Sequence, residues 1–461
     1  MTALHRLCMT ITKFKNNMER RNFLKASALG LAGTMVAPSA IMASTSKSKK
    51  KTAANDKIRL GFIGLGQQTN YLLSSFIKME DVQVVAGCDV YDIKRDRFRN
   101  NVEKHYQSTG MKNCAPAMYV DYNDLLARED IDAVVIATPD HWHAAIAIAA
   151  CKAGKDIYLE KPMTLTIYEG QQLVKAVRKY NRILQVGSQQ RSSEEFIHAA
   201  NMAREGNLGQ IRKVELFVGR WDGQPFPVKC PRPKEAVPAG LDWERWLGPL
   251  TESDYIYYYP DIDPLLNENG SETCWGAWRW YKKTGGGYMT DWGAHMFDIV
   301  QWALGKDGSG PTEVIPPGYS FYKNLTYKYD NGIVVEETPF DDKGQGVKIY
   351  GDEGWIAVHR GNLYASDPKF EMNVAVNEVP FEARAGHHRV FIESIKSRID
   401  PNVPVEVGHS SCNMCNIGII AGELGRPLVW NPIVQKFMHD EEANALKHYD
   451  YREGYKNLLD V

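Results

Sequence analysis

The chain has 461 residues, 44% hydrophobic and 24% charged, with a formal net charge of −1. This is the composition of a folded protein of roughly two to three domains, and it excludes collagen-like, disordered and disulfide-scaffold classes. The charge is uneven: residues 1–55 hold ten Lys or Arg against Glu19 alone, leaving 45 basic and 55 acidic residues beyond. So acidic a body is not expected to bind nucleic acid.

In chain order, the first feature is Arg20-Arg21-Asn22-Phe23-Leu24-Lys25, followed by an apolar, small-residue stretch over 26–43. It resembles a bacterial twin-arginine export signal. Gly30, Gly33 and Pro38 interrupt the stretch and argue against a stable membrane anchor. Residues 44–54, with Lys47, Lys49, Lys50 and Lys51, read as a solvated linker. The expectation is a periplasmic protein exported already folded, with residues 1–55 outside its fold. Seven of the eight cysteines lie beyond this leader without a pairing framework, which suits folding in a reducing compartment before export.

From Lys57, short apolar runs at 58–63, 82–88, 133–137, 156–159 and 183–186 predict buried strands. Amphipathic segments near 68–79, 92–107, 142–153 and 167–180 separate them. Such alternation predicts a doubly wound parallel sheet over residues 56–187, a Rossmann domain. The first strand turns through Gly64-Leu65-Gly66-Gln67-Gln68-Thr69, where Gly64 and Gly66 let the backbone approach a pyrophosphate at a helix N-terminus. Thr69 replaces the usual third glycine or alanine. Asp89, ending the second strand, is placed to accept hydrogen bonds from the adenosine ribose, which favours NAD over NADP. Lys94 and Arg95 keep NADP open.

Several motifs then occur in order: Ala137-Thr138-Pro139, Asp140-His141 with His143, Glu160-Lys161-Pro162, Leu241-Asp242-Trp243, Trp246-Leu247-Gly248-Pro249, Gly285-Gly286-Gly287, Asp291-Trp292-Gly293-Ala294-His295 and Gly425-Arg426-Pro427-Leu428. Over residues 57 to 430 the chain resembles the Gfo/Idh/MocA family of glucose–fructose oxidoreductases and inositol dehydrogenases. The resemblance implies a nicotinamide cofactor, a sugar, glycoside or polyol substrate, and catalysis by Lys161, Asp291 and His295. It also places Gly64, Gly66, Gln67, Asp89, Thr138, Pro139, His143, Glu160 and Lys161 around the cofactor. It further implies a homo-oligomer formed through an open sheet.

Elementary chemistry is compatible with those roles. Asp291 and His295, four apart, are expected on one helix face with the carboxylate near the imidazole. Lys161 follows a strand's C-terminal end, where open α/β sheets bind ligands. His141-Trp142-His143 lacks a thiolate or carboxylate at a zinc spacing, so no metal is expected. Cys412 and Cys415 have no second pair and read as a buried helix face.

Residues 188–461 are expected to form an α+β domain with a large, mostly antiparallel open sheet. Eight of the eleven tryptophans fall between Trp221 and Trp302, in a stretch of little periodicity that predicts an ordered excursion across the site mouth. Trp275, Trp278, Trp280, Tyr281 and Trp292 are candidates to line a sugar, and Arg191 is a candidate donor to a substrate hydroxyl. Asp330-Asn331-Gly332 predicts a hairpin between 325–329 and 333–336, and Gly351–Gly354 another between 347–350 and 355–359. Helices are expected near 388–398 and 409–424.

The leading expectation is an NAD(P)-dependent oxidoreductase acting on a secondary hydroxyl. The alternative is an NAD-dependent glycosidase working by transient oxidation, elimination, hydration and re-reduction; a non-catalytic sugar sensor is the third. An exported enzyme meets little free dinucleotide, so the cofactor is expected to be tightly bound.

Overall fold

The computed structural model describes residues 57–461 except 112–113, 230–233, 256, 258–265, 268–269, 274–275 and 373–381, and not the side chains of 382–385. The twin-arginine motif and Trp275 lie outside the described residues. Strands β1 (Ile58–Ile63), β2 (Val82–Cys88), β3 (Ala117–Tyr119), β4 (Ala133–Ile136), β5 (Asp156–Leu159) and β6 (Leu184–Val186) form one sheet in the order β3-β2-β1-β4-β5-β6. Every pairing in it is parallel. The expected doubly wound sheet is therefore present. Sequence patterning missed β3, a strand of only three residues, all half buried.

A parallel sheet must be covered on both faces. One face carries α1 (Gln67–Phe76) and α2 (Asp92–Ser108), which bury Leu72, Phe76, Phe98 and Val102 against Leu60, Phe62 and Val135. The short α3 (Tyr122–Leu126), α4 (Asp140–Lys152) and α5 (Ile167–Lys179) cover the other, where Ile146, Leu173 and Val177 meet Val134 and Ile136. Successive residues of β4 thus feed opposite cores, as the period of a strand requires.

Beyond β6, α6 (Glu194–Arg204) and β7 (Ile211–Phe217) lead into the excursion, which contains α7 (Trp243–Leu247), α8 (Tyr288–Asp291) and α9 (Gly293–Ala303). There follow β8 (Glu313–Ile315), β9 (Leu325–Lys328), β10 (Val334–Glu337), β11 (Gly346–Gly351), β12 (Gly354–His359), β13 (Asn362–Ala365), α10 (Glu382–Ser397), α11 (Val405–Leu424), β14 (Leu428–Asn431), β15 (Lys436–Phe437) and α12 (Glu441–Ala445). The nine-stranded sheet runs β13-β12-β11-β7-β10-β9-β8-β14-β15. Its one parallel pairing is β7 with β10. Both expected hairpins form, β9–β10 and β11–β12.

One face of this sheet is buried by α6, α9 and α11 through Phe196, Phe297, Met414 and Ile417. The other leaves Lys213, Tyr350, Trp355 and Tyr364 half exposed. Two C-terminal segments return to the first sheet: α10 adds Phe391 and Ile392 to one of its cores, and Tyr451 and Leu459 join the other. The described residues between 57 and 461 belong to a single compact unit.

Candidate active site

The C-terminal ends of β1, β2, β4 and β5 open into a cavity of about 1070 Å³, lined at one end by Asp89 and at the other by Lys161, Asp291 and His295. Its volume lies at the upper limit for single-ligand pockets, room for a cofactor and a substrate together.

Helix α1 starts at Gln67 behind Gly66, with no capping side chain and no acidic residue in its first turn. Its unsatisfied N–H groups and dipole favour an anion. Gly64 has φ of +81°, and a Cβ there would lie 2.7 Å from the Thr138 backbone nitrogen, so only glycine fits where the turn passes the end of β4. The Asp89 carboxylate is fixed by the Leu65 N–H at 2.7 Å and the Tyr91 N–H at 2.9 Å. Thr138 Oγ1 is buried without a partner. An open helix N-terminus, a fixed carboxylate and an unused hydroxyl on one cavity fit a dinucleotide. Nearby cations are committed elsewhere. Arg95 donates to the Asp89 carbonyl at 2.7 Å, and Glu272 engages Lys94 at 3.3 Å and Arg97 at 3.2 Å. This leaves Asp89 as the charge facing a 2′-phosphate, and the site favours NAD.

At the other end, Lys161 follows β5 and its Nζ donates to Asp291 Oδ1 at 2.9 Å and to the Asp291 carbonyl at 2.7 Å. Arg279 approaches the same carboxylate at 3.7 Å. Burial pushes the Asp291 carboxyl up, but the Lys161 and Arg279 charges outweigh it and hold it below its usual value. His295 is driven well below 6.5 by burial, reinforced by the Arg360 and Lys161 charges, so its imidazole is neutral. With its amide oxygen assigned towards the Arg360 guanidinium, from which it accepts at 2.8 and 2.9 Å, Gln190 donates to His295 Nδ1 at 2.5 Å. An imidazole accepting at Nδ1 carries its proton on Nε2. Asp140, at the start of α4, also lines this cavity, and burial raises its carboxyl to about 8 against the opposing charges of Arg279 and Lys161. Glu160 accepts from Gln68 at 3.0 Å and is likewise raised by burial. His143 lies between the carbonyls of Pro162 at 2.7 Å and Thr138 at 3.0 Å and is lowered to about 4 by burial.

Residues 58–188 match the family model described as the oxidoreductase family, NAD-binding Rossmann fold, and residues 221–457 match its C-terminal alpha/beta domain. The chain belongs to the Gfo/Idh/MocA oxidoreductase family. Its Rossmann sheet is the family's NAD-binding fold. It is 32% identical over 211 residues to a glycosyl hydrolase family 109 protein of Shewanella baltica, and 30% identical over 211 residues to an alpha-N-acetylgalactosaminidase of Shewanella oneidensis. Each match covers 42% of this chain and 45% of the relative, so the chain spans about half the length of the curated relatives it matches. The WlbA dehydrogenase of Bordetella pertussis, solved with NADH and UDP-GlcNAcA, shares the fold at TM-score 0.54 and 17% identity, covering 82% of this chain and 98% of that one.

Against this family frame, the structure brings every expected cofactor-contacting residue to one cavity: Gly64, Gly66, Gln67, Asp89, Thr138, Pro139, His143, Glu160 and Lys161. Four expectations need correction. Asp291 and His295 do not share a continuous helix. The chain breaks at Trp292 between α8 and α9, Asp291 turns to Lys161, and Gln190 rather than Asp291 orients the imidazole. Arg191 does not face substrate; its guanidinium is buried against Asp298 at 2.8 Å and Asp307 at 2.6 Å. Trp280 is stacked between Trp221 at 5.2 Å and Tyr288 at 4.6 Å, away from the cavity. Tyr281 is 1% exposed in a core with Trp246 and Tyr255. Trp292 and Trp278 do line the cavity, each beneath a guanidinium, Arg360 at 4.3 Å and Arg279 at 4.2 Å.

Gln190, Arg279, Arg360 and Asp140 were not among the expected site residues. Arg279 stands between Trp278 and Trp280, and a cation interleaved with aromatic residues is the available signal. Arg360 comes from the β12–β13 turn, and nothing local marks it.

Proposed function

We propose that this protein is an NAD-dependent oxidoreductase acting on a secondary hydroxyl of a sugar, glycoside or polyol, with the reacting oxygen between Lys161 Nζ and His295 Nε2. The observation that carries this reading is the Lys161–Asp291 pair beside a neutral imidazole in the cavity that the glycine turn opens into. Bound NAD supplies the hydride acceptor at this site. The His295 Nε2–H donates towards the reacting oxygen, an arrangement that stabilises charge developing there as the hydride leaves. We assign the hydroxyl proton to Lys161, which takes it as the free amine and becomes the ammonium that Asp291 holds, and assign His295 to hydrogen bonding. Trp278 and Trp292, each capped by a guanidinium, line this end and supply apolar surface beside the C–H face of a sugar ring.

A second reading is redox-neutral glycoside cleavage in the same cavity, favoured by the relatives named as glycosyl hydrolases. The two are separated by incubating protein with an aryl glycoside and no added cofactor. Reduction of bound nicotinamide that stops after one turnover supports the oxidoreductase. Sustained aglycone release without accumulating NADH supports the glycosidase. Neither signal from any sugar or glycoside in a broad screen contradicts both.

The setting we propose is the periplasm after twin-arginine export, on the evidence of residues 20–25 and the apolar stretch behind them. Copurification of NAD through dialysis is the matching expectation. No helix among the described residues is long and apolar enough to cross a membrane. The half-exposed outer face of the nine-stranded sheet supports assembly with further copies of this chain.

A further inference from the structure

The cavity does not end at Asp89. Beyond it lie Val120 and Tyr122, after β3, then Trp142 of α4, and finally Gly454, Tyr455 and Leu458 from the last residues of the chain. The sheet order separates β3 from β5 by four strand steps, roughly 19 Å at the usual spacing. The Tyr122 side of this end is therefore remote from Lys161 and adjoins Asp89, the ribose-facing carboxylate, while Trp142 lies on α4 two residues beyond Asp140.

Its walls are aromatic, with Asp121, Glu244 and Arg245 beside them. The Trp142 ring meets Tyr122 edge-on at 5.7 Å and Tyr455 at 6.1 Å. Trp142 is fixed by its Nε1 donating to the Trp246 carbonyl at 2.9 Å, while Tyr122 and Tyr455 keep part of their surface towards the cavity. The terminal segment is anchored on both sides of the tyrosine. Tyr451 donates to the buried Glu169 at 2.6 Å, Arg452 pairs with Glu244 at 2.6 Å and stacks over Tyr455 at 4.8 Å, and Leu459 is 5% exposed in the first domain's core.

We infer that Tyr122, Trp142 and Tyr455 form the adenine slot of the cofactor cavity, and that the C-terminal segment closes it from outside the Rossmann domain. A purine offers a π-face to these rings, and nothing charged is needed to hold it. A tail anchored on both sides of Tyr455 must loosen before the adenosine end withdraws, which slows cofactor loss without touching the reacting end. This rests on the NAD reading of the cavity.

The test is exchange of labelled NAD into the protein as purified, with adenosine monophosphate and nicotinamide mononucleotide as separate competitors. Tyr455→Ala should speed exchange about tenfold or more, the scale of one base–aromatic stack. It should weaken competition by adenosine monophosphate and leave that by nicotinamide mononucleotide unchanged. Tyr455→Phe, which keeps the ring, should behave as the unmodified protein, and matching unfolding temperatures show that the variants remain folded. Unchanged exchange in folded Tyr455→Ala, or equal weakening of both competitors, overturns the adenine slot while leaving NAD binding intact. Failure of the unmodified protein to bind NAD overturns the cofactor reading and the slot with it.

Discussion

The two ends of the cavity are built from different materials. The adenosine end holds Asp89, fixed by two backbone N–H groups and followed by aromatic and aliphatic walls, with Asp121, Glu244 and Arg245 beside them. The reacting end gathers Lys161, Arg279, Arg360, Asp291, Asp140 and Glu160 around a neutral imidazole. Buried charges cost several kcal/mol each unless they are paired. The Lys161–Asp291 contact offsets part of that cost, but the Asp140 carboxyl is raised by burial and by the Asp291 and Glu169 charges, which Arg279 and Lys161 only partly oppose. One end grips through shape and backbone; the other keeps a costly charge cluster, the pattern expected where proton chemistry occurs.

That contrast makes the two ends differently breakable. The largest effect is expected from Lys161→Ala, which should lower turnover by roughly 10²–10⁴-fold, the range for a proton-transferring group, while NAD remains bound. Near-normal turnover with the natural substrate would remove Lys161 from the reaction. His295→Asn, which retains a donor, should keep more activity than His295→Ala, and the pH profile of kcat/KM should show no acid limb from His295 above pH 6.5. Equal damage by the two variants would make His295 the proton acceptor instead.

Asp140 gives a smaller, purely thermodynamic signature. Its folded carboxyl is raised from 3.8 to about 8, so between those values the native chain holds a proton that the unfolded chain has released. Its contribution is complete below pH 3.8 and is lost as pH rises towards 8. Asp140→Asn should therefore flatten the fall of stability over that interval, by up to about 1.4 kcal/mol per pH unit. Parallel unfolding curves for the two proteins across that range would show that Asp140 is already ionised. The mildest effect belongs to the gripping end: Asp89→Asn should narrow the preference for NAD over NADP, measured by competition between the dinucleotides. An unaltered preference would transfer that discrimination to other residues.

How much of this was legible beforehand follows the same division. The Rossmann half is local: strand, glycine turn, helix and terminal acid follow one another, so Gly64, Asp89 and Lys161 could be placed by pattern and resemblance. Strand β3 escaped because it is only three residues long and half buried. The reacting end is assembled from segments more than a hundred residues apart, and its pairings depend on tertiary geometry. The spacing of Asp291 and His295 suggested a helix pair, but the break at Trp292 sends them to different partners. Arg191 had the right position after β6, yet Asp298 and Asp307 claim it. The tryptophan-rich excursion was recognised as a unit, although Trp280 and Tyr281 pack inward while Trp278 lines the cavity.

The central claim is that the charged end oxidises a sugar hydroxyl with nicotinamide held in the same cavity. It is tested most directly by following reduced-nicotinamide absorbance in extensively dialysed protein after mixing with candidate sugars and glycosides, beside Lys161→Ala carrying the same cofactor. The account predicts rapid reduction, at most stoichiometric with bound NAD, in the unmodified protein and little in the variant. Equal reduction in both proteins would contradict it.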